Sequence, residues 1–180
     1  MAEFSGSPRT KCAESGVEPL STHPWLKSYP KGVDWAQSFQ PKLLGDMLDS
    51  AVSAFGSRPC TYFMGKRTTY RELGALTDRV AKGLQTLGVG PGVKVGLFLP
   101  NAPTVPVFFY GVLKAGGTVV NFNPLYSLEE IEFQIRDSGT EIMVTLDLEL
   151  TFEKVEAMLK RGVLRHAVVA SFASLLPQIK

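Results

Sequence analysis

The feature that most constrains this chain is the alternation, after residue 70, of amphipathic helical segments with short, uninterrupted apolar segments. Apolar segments of this kind indicate strands buried on both faces, as in parallel sheets covered by helices. Hydrophobic residues make up 44% of the chain and charged residues 20%, which is typical of a globular protein. The pattern predicts an α/β fold with a doubly wound, mostly parallel sheet and helices on both faces. The predicted strands cover residues 93–99, 118–122, 142–146 and 167–172.

The first part of the chain has a different, proline-rich composition. We interpret residues 1–41 as a lead-in that is partly mobile, and residues 42–180 as the folded domain. Within the lead-in, His23–Leu26 and Tyr29–Pro30 contain large aromatic side chains that are unfavourable in water. We therefore expect these two segments to form an extended arm that packs against the domain.

Two further elements are predicted between the lead-in and the alternating region. Apolar residues at helical spacing between Leu44 and Phe55 form one stripe, which predicts a helix that ends near Gly56. Thr61–Met64 has the composition of a strand, and the chain then turns at Gly65–Lys66 and returns. A β-hairpin is therefore expected before residue 70.

Charge, cysteine content and hydropathy exclude several classes of protein. The net charge is +2 without a basic cluster, so the sequence does not favour nucleic-acid binding. Cys12 and Cys60 lack a Cys-x-x-Cys partner or a nearby histidine, which argues against a metal site and favours unpaired thiols in a reducing compartment. Prolines interrupt the apolar stretch Val95–Leu128, so no transmembrane segment is expected.

No catalytic residue can be assigned from motifs alone. Gly88–Gly92 resembles a nucleotide loop in composition, but it runs from a helix into a strand, which favours a helix end. In doubly wound folds ligands bind beyond the carboxyl ends of the strands, where polar residues lie in two predicted loops. These candidates are Asn101, Asn123, Pro124 and Tyr126. Turn chemistry is an alternative explanation for both asparagines.

Several short motifs resemble those of a known family. Thr69, Tyr70 and Glu72 belong to a Thr-Tyr-x-Glu-Leu segment that also forms a helix capping box. Lys114, Gly116 and Gly117 belong to a Leu-Lys-Ala-Gly-Gly segment, which is followed a few residues later by Asn123–Pro124. We regard these six residues as a structural signature. In this order the motifs resemble the AMP-forming acyl-CoA synthetases, the adenylating superfamily. The segments Trp25–Pro30 and Asn121–Tyr126 resemble the bacterial long-chain fatty acid–CoA ligases in particular.

The resemblance implies a two-step reaction in which a fatty acid attacks ATP to form an acyl-adenylate, and coenzyme A then displaces AMP. It also implies ATP, Mg²⁺ and coenzyme A as ligands of the complete enzyme, with the 123–126 loop on the coenzyme A side. The family's phosphate-binding loop, metal-binding Glu and catalytic Lys do not occur in this sequence and are expected downstream of Lys180. The chain is therefore expected to be an incomplete N-terminal subdomain that is inactive alone and binds these ligands poorly.

Other interpretations remain open at this point. The chain could be a non-catalytic, truncated paralogue that acts as an interaction module, or it could derive from a ligase for short-chain or aryl acids. The resemblance implies a cytoplasmic protein, and it leaves peripheral membrane contact and homo-oligomer formation open.

Overall fold

The computed structural model describes residues 24–35 and 37–177. The chain divides into a unit of residues 1–41 and a unit of residues 42–180, and each is described by itself. In the first unit Pro24–Ser28 forms one turn of 3₁₀-helix, and the rings of Tyr29 and Trp35 lie 4.6 Å apart. This differs from the extended arm expected there, because Pro24 fixes a φ angle that suits the start of a helical turn. His23 lies outside the described residues.

The second unit contains a β-hairpin and a four-stranded sheet with five helices. The helices are α1 (Leu44–Phe55), α2 (Tyr70–Thr86), α3 (Thr104–Lys114), α4 (Leu128–Ser138) and α5 (Glu149–Lys160). The strands are β1 (Pro59–Phe63), β2 (Lys66–Thr69), β3 (Lys94–Leu97), β4 (Thr118–Asn121), β5 (Ile142–Leu146) and β6 (His166–Ala170). Every predicted helix and strand of this unit is present.

The hairpin turns one residue earlier than the sequence indicated. Strands β1 and β2 pair antiparallel, with Phe63 opposite Lys66, so Met64 and Gly65 form the turn. Both turn residues have positive φ angles, 46° and 88°. Two-residue turns of this kind match the twist of the flanking strands, which outweighs the conformational cost at Met64.

The four-stranded sheet is parallel throughout, in the order β4-β3-β5-β6. Its strands carry apolar side chains on both faces, as predicted. Val95 and Leu97 belong to one buried cluster together with residues of α2 and α3. Phe98 and Met143 belong to a second cluster together with residues of α4 and α5. Helices therefore cover both faces, and the doubly wound α/β prediction is confirmed.

Helices α1, α2 and α3 are joined by a close backbone approach at a glycine and by ion pairs that share one lysine. At Gly111 of α3 a Cβ atom would lie 2.5 Å from Cγ1 of Val80 on α2, so only glycine permits this approach. At the end of α3 the Lys114 Nζ lies 2.5 Å from Asp49 Oδ1 of α1 and 2.7 Å from Asp78 Oδ1 of α2. One ammonium group therefore joins three helices.

None of the helices within the described residues combines the length and the hydropathy that a membrane span requires.

Candidate functional site

The loops that follow the carboxyl ends of the parallel strands lie at one edge of the sheet. The strands β3, β4, β5 and β6 end at Leu97, Asn121, Leu146 and Ala170. Because β3 pairs with β4 on one side and with β5 on the other, the direction of the crossovers reverses beside β3. Ligands of doubly wound folds bind outside the strand ends at such a reversal. This edge is therefore where a site is expected.

A partly enclosed cavity of about 260 Å³ lies at this edge, between the β1–β2 hairpin, α2 and the first half of α3. Its walls are mainly apolar, and most of its lining residues are partly or fully buried. Ala170 at the end of β6 and Leu175 in the 3₁₀ turn Ala173–Leu175 close one side. The remaining apolar lining residues are Phe63, Leu73, Leu76, Val80, Pro103, Val107 and Phe108.

Two threonine residues in the cavity wall have buried hydroxyl oxygens without a hydrogen-bond partner among the described residues. They are Thr61 on β1 and Thr104 at the start of α3, and Thr104 is only 6% exposed. Lys66, the charged residue of the lining, donates a 2.6 Å hydrogen bond from Nζ to the carbonyl oxygen of Ser174. Both hydroxyl oxygens are enclosed by protein atoms, so the accessible wall of the cavity is mainly apolar.

The β4–α4 loop, which contains three of the predicted site residues, is held by its own turn. The backbone N–H of Leu125 donates to Asn123 Oδ1 at 3.0 Å, and the N–H of Tyr126 donates to the Asn123 carbonyl at 3.1 Å. Lys154 of α5 donates from Nζ to the Tyr126 carbonyl at 2.7 Å. Pro124 is half-buried within this turn. Turn chemistry accounts for the Asn123 side chain, and a role toward coenzyme A stays a prediction.

The β3–α3 loop places the fourth candidate, Asn101, near the cavity. Asn101 is exposed and borders a shallow groove together with Tyr62 and Pro106. Thr61 and Phe63 line both this groove and the cavity. Asn101 is therefore the sequence-predicted site residue that the structure brings beside the cavity.

The carboxylate that follows β5 has a different role from the one its position suggests. In the sequence, Asp147 and Glu149 are most simply explained as the acidic entry to a helix. Glu149 does begin α5, but Asp147 Oδ1 accepts a 2.5 Å hydrogen bond from the backbone N–H of Phe172. That bond, followed by one from the Ser171 hydroxyl, lowers the pKa of Asp147 below its ordinary value. Asp147 thus holds the segment after β6.

Four of the signature residues make contacts around the ends of helices α2 and α3. The N–H of Thr69 donates to Glu72 Oε2 at 2.7 Å and the N–H of Glu72 donates to Thr69 Oγ1 at 3.3 Å, which completes the capping box. These bonds, the backbone one first, lower the pKa of Glu72. Gly116 has a φ of +88° just after α3, and a Cβ on Gly117 would lie 2.6 Å from Val89 Cγ1. These contacts determine the backbone shape at the ends of the two helices.

The remaining two signature residues also contact helices. Tyr70, the first residue of α2, has its ring 6.2 Å from that of Phe55 at the end of α1, while Lys114 forms the ion pairs described above.

The described residues do not fit a nucleotide–metal site by themselves. Gly88 has a φ of +86°, and the Val89 N–H donates to the Leu84 carbonyl at 3.0 Å, so this glycine-rich loop terminates α2 and opens no helix. Within residues 24–35 and 37–177, no group of three or more His, Cys, Asp or Glu residues is arranged to hold a metal ion.

Comparison with known proteins then decides the family. The AMP-binding enzyme family matches residues 48–178, which include the whole sheet and its helices. The chain belongs to this family. It is 35% identical over 159 residues to the long-chain-fatty-acid–CoA ligase of Bacillus subtilis strain 168, covering 87% of this chain and 28% of that protein. The corresponding ligase of Escherichia coli O6:H1 is 33% identical over 161 residues, with the same two coverages.

Solved structures of two CoA-ligating enzymes share the fold. A Mycobacterium tuberculosis fatty acyl CoA synthetase superimposes with a TM-score of 0.62 at 26% identity, covering 70% of this chain and 26% of that one. A benzoate CoA ligase from Burkholderia xenovorans LB400 gives a TM-score of 0.65 at 22% identity, covering 72% and 26%, and supports the fold alone. The chain thus spans between a quarter and a third of the length of these AMP-binding relatives.

Sequence reasoning did not identify the residues that shape the cavity or anchor the loops. Thr61 occurs in a predicted strand and Thr104 at a predicted helix start, and neither position differs in the sequence from an ordinary surface threonine. Lys154 occurs in a helix among other charged residues. Their roles depend on contacts between distant segments of the chain, for which one sequence carries no signal.

Proposed function

We propose that this chain is the N-terminal portion of an AMP-forming long-chain fatty acid–CoA ligase. Such an enzyme converts a fatty acid, ATP and coenzyme A into acyl-CoA, AMP and pyrophosphate through an acyl-adenylate. The observation that carries the proposal is the 35% identity to the Bacillus subtilis ligase over 159 residues. This aligned region covers only 28% of that protein. The fatty acid–CoA branch is preferred to aryl or short-chain ligases because the two relatives from Bacillus subtilis and Escherichia coli are both named long-chain-fatty-acid–CoA ligase.

Within that enzyme, residues 42–177 would supply the parallel sheet and its helices, and they would not supply the reacting groups. The charges of ATP and Mg²⁺ require several oriented donors and carboxylates, which the proposal assigns to the remainder of the enzyme. The Asn123–Tyr126 loop, held by Lys154, is the segment proposed to face coenzyme A. The proposal includes a cytoplasmic location, with any membrane contact being peripheral.

The first experiment measures ATP–pyrophosphate exchange by the purified 180-residue chain with palmitate, benzoate and acetate. We expect no exchange above background with any acid, because the proposal assigns the phosphate-binding groups to the remainder of the enzyme. Robust exchange with palmitate would refute the proposed inactivity, while exchange with benzoate alone would also refute the fatty acid branch.

The second experiment restores the rest of the enzyme. Residues 48–177 of this chain would replace the aligned segment of the Bacillus subtilis ligase, and the parent ligase would serve as the control. We expect a soluble chimera that forms palmitoyl-CoA and discriminates against benzoate as the parent does. A chimera that melts cooperatively but forms no palmitoyl-CoA would contradict the proposal.

The nucleotide sequence beyond codon 180 distinguishes the ligase portion from a truncated paralogue. A continuing reading frame that encodes a glycine- and threonine-rich loop supports the ligase. A stop codon directly after Lys180 would instead favour the non-catalytic interaction module.

A further inference from the structure

We propose that the β1–β2 hairpin, together with the adjoining end of α1, binds the surface of a membrane that contains anionic lipids. In this arrangement arginine side chains pair with lipid phosphates, and exposed apolar side chains enter the boundary between the headgroups and the acyl chains. The proposed function leaves the surface for membrane contact unassigned, and this inference rests on the hairpin and not on the ligase reaction.

The chain segment that forms the hairpin carries only positive charge. Between Asp49 and Glu72 the sequence has no acidic residue and four basic residues, which are separated along the chain. The N–H of Arg71 donates to the Gly56 carbonyl at 3.0 Å, so the two ends of this segment are held together. The four basic residues are Arg58, Lys66, Arg67 and Arg71. The fold therefore places them on and beside one small hairpin.

The three arginines are available to an anionic partner. Arg58, Arg67 and Arg71 are exposed, and none of the ion pairs formed among the described residues involves them. Glu72 adjoins them with one negative charge, and its Oε2 accepts bonds from the N–H and the hydroxyl of Thr69. An excess of positive charge remains, which an anionic lipid surface attracts, and arginine can pair with a phosphate through two parallel hydrogen bonds.

Exposed apolar side chains accompany the arginines on the hairpin. Met64 in the turn is 61% exposed, and Tyr62 on β1 is 70% exposed. The Cζ atom of Arg67 lies 5.9 Å from the centre of the Tyr62 ring. At the end of α1, the Cζ atom of Arg58 lies 5.1 Å from the centre of the exposed Phe55 ring. Aromatic rings beside basic groups suit the interface between a membrane and water, where the ring and the charge contact different phases.

This combination favours a lipid surface over a nucleic acid. Both partners offer phosphates, but a nucleic acid has no apolar phase to receive the flexible side chain of Met64. A membrane interface offers phosphates and hydrocarbon next to each other, at a depth that a shallow hairpin turn can reach. The pairing of Met64 with the arginines therefore decides between the two partners.

The test is flotation of the 180-residue chain with vesicles of phosphatidylcholine, alone or mixed with an equal part of phosphatidylglycerol. We expect binding to the mixed vesicles to be at least tenfold tighter, and to weaken as NaCl rises from about 0.05 M to about 0.5 M. Equal binding to both vesicles, or none, would overturn the proposal. Binding to a single-stranded oligonucleotide that is tighter than binding to the mixed vesicles would overturn the choice of lipid.

Matched arginine variants locate the charge that binds. Arg67→Gln is expected to weaken binding to the mixed vesicles about fivefold, because one basic group near the lipid surface is lost. Arg136→Gln is the control: it removes the same charge from α4, which packs on the other cluster of the sheet, and Glu132 keeps its bond to Arg161. Equal weakening by both variants would show that net charge alone drives binding and would contradict the assignment.

A turn variant tests insertion independently of charge. Met64 has a φ of 46°, a conformation that asparagine adopts readily, so Met64→Asn removes the apolar chain without opposing the turn. We expect at least fivefold weaker binding to the mixed vesicles and cooperative thermal unfolding. Leu125→Asn, at a 79% exposed position of the β4–α4 loop, is the control and should bind as wild type. Unchanged binding of a folded Met64→Asn variant would overturn the proposed insertion.

Discussion

Lys114 Nζ lies 2.7 Å from Asp78 Oδ1, which joins the end of α3 to the middle of α2. The same ammonium contacts Asp49 of α1, and the Lys114 side chain is only 16% exposed although both carboxylates are largely exposed. Burial lowers the pKa of Lys114, but the hydrogen bonds to Asp49 and Asp78 outweigh it and raise the pKa above its ordinary value. Lys114, the lysine of the Leu-Lys-Ala-Gly segment, thus joins α1, α2 and α3.

Replacing this lysine should weaken the packing of α1 on α2 and α3. We expect Lys114→Met to lower the free energy of unfolding by about 1 kcal/mol, a modest loss because water screens the exposed carboxylates. Since the folded-state pKa is raised, the contribution is fully present below about pH 10 and is lost only as the pH rises through the folded-state value. Urea denaturation at pH 7 and at pH 11 measures both effects.

The control for this variant is Lys160→Met, which removes an exposed pair with Glu156 on a single helix. Its effect should stay within about 0.5 kcal/mol. A loss of similar size in both variants would contradict a special role for Lys114.

The capping box at the start of α2 should contribute measurably to stability. Thr69→Ala removes the Oγ1 acceptor for the Glu72 N–H and is expected to cost about 1 kcal/mol. The comparison is Thr86→Ala at the other end of the same helix, where the hydroxyl bonds only to the Gly83 carbonyl and the effect should be under about 0.5 kcal/mol. Thermal unfolding of the two variants measures the difference in stability.

The same box predicts a pH dependence. Hydrogen bonds from Thr69 lower the pKa of Glu72, so its contribution is present above the unfolded-state value of about 4.3 and is lost as the pH falls through the folded-state value. The stability difference between wild type and Glu72→Gln should therefore be constant at neutral pH and should shrink below about pH 4.3. A difference that grows on acidification would be the opposite of this expectation.

Two glycines in the helices should respond oppositely to the same substitution. Gly111→Ala places a methyl group against Val80 and is expected to destabilise the protein by about 1–3 kcal/mol. Gly83→Ala adds a methyl group where nothing lies within 4 Å, and better helix propensity should stabilise the protein by about 0.5–1 kcal/mol. Chemical denaturation of both variants tests this, and Val80→Ala should partly rescue Gly111→Ala.

The anchor beneath the β4–α4 loop can be tested through hydrogen exchange. Lys154→Met removes the bond to the Tyr126 carbonyl, and the Leu125 and Tyr126 amides should then exchange about fivefold faster, as expected for the loss of about 1 kcal/mol. Lys160→Met serves again as the control and should leave these amides unchanged. Equal exchange in wild type and Lys154→Met would show that the Asn123 turn holds the loop without this bond.

Local signals in the sequence predicted most of this fold. Continuous apolar segments such as Ile142–Leu146 require burial on both faces, and the capping residue Thr69 marks a helix start. The hairpin turn lies one residue before the predicted position. A two-residue turn of this kind favours two positive φ angles, and this preference outweighs the conformational cost of a positive φ at Met64.

Fewer features of the candidate site than of the fold could be predicted from the sequence. Asn101 could be placed near a ligand edge because the topology of a parallel sheet determines where loops gather. The bonds from Lys154 to Tyr126 and from Phe172 to Asp147 join segments more than 20 residues apart, and the unpartnered hydroxyls of Thr61 and Thr104 result from packing of distant elements. Such contacts depend on the three-dimensional arrangement and leave no pattern in a single chain.

The strand order β4-β3-β5-β6 also bears on how the sheet is made during synthesis. Of the four strands in this sheet, β3 leaves the ribosome first, and it lies between β4 and β5. Each later strand then joins an open side of what already exists: β4 beside β3, β5 on the other side of β3, and β6 beside β5. Among these four strands none has to be inserted between two paired neighbours, so this part of the sheet can grow outward while the chain is synthesised from the amino terminus.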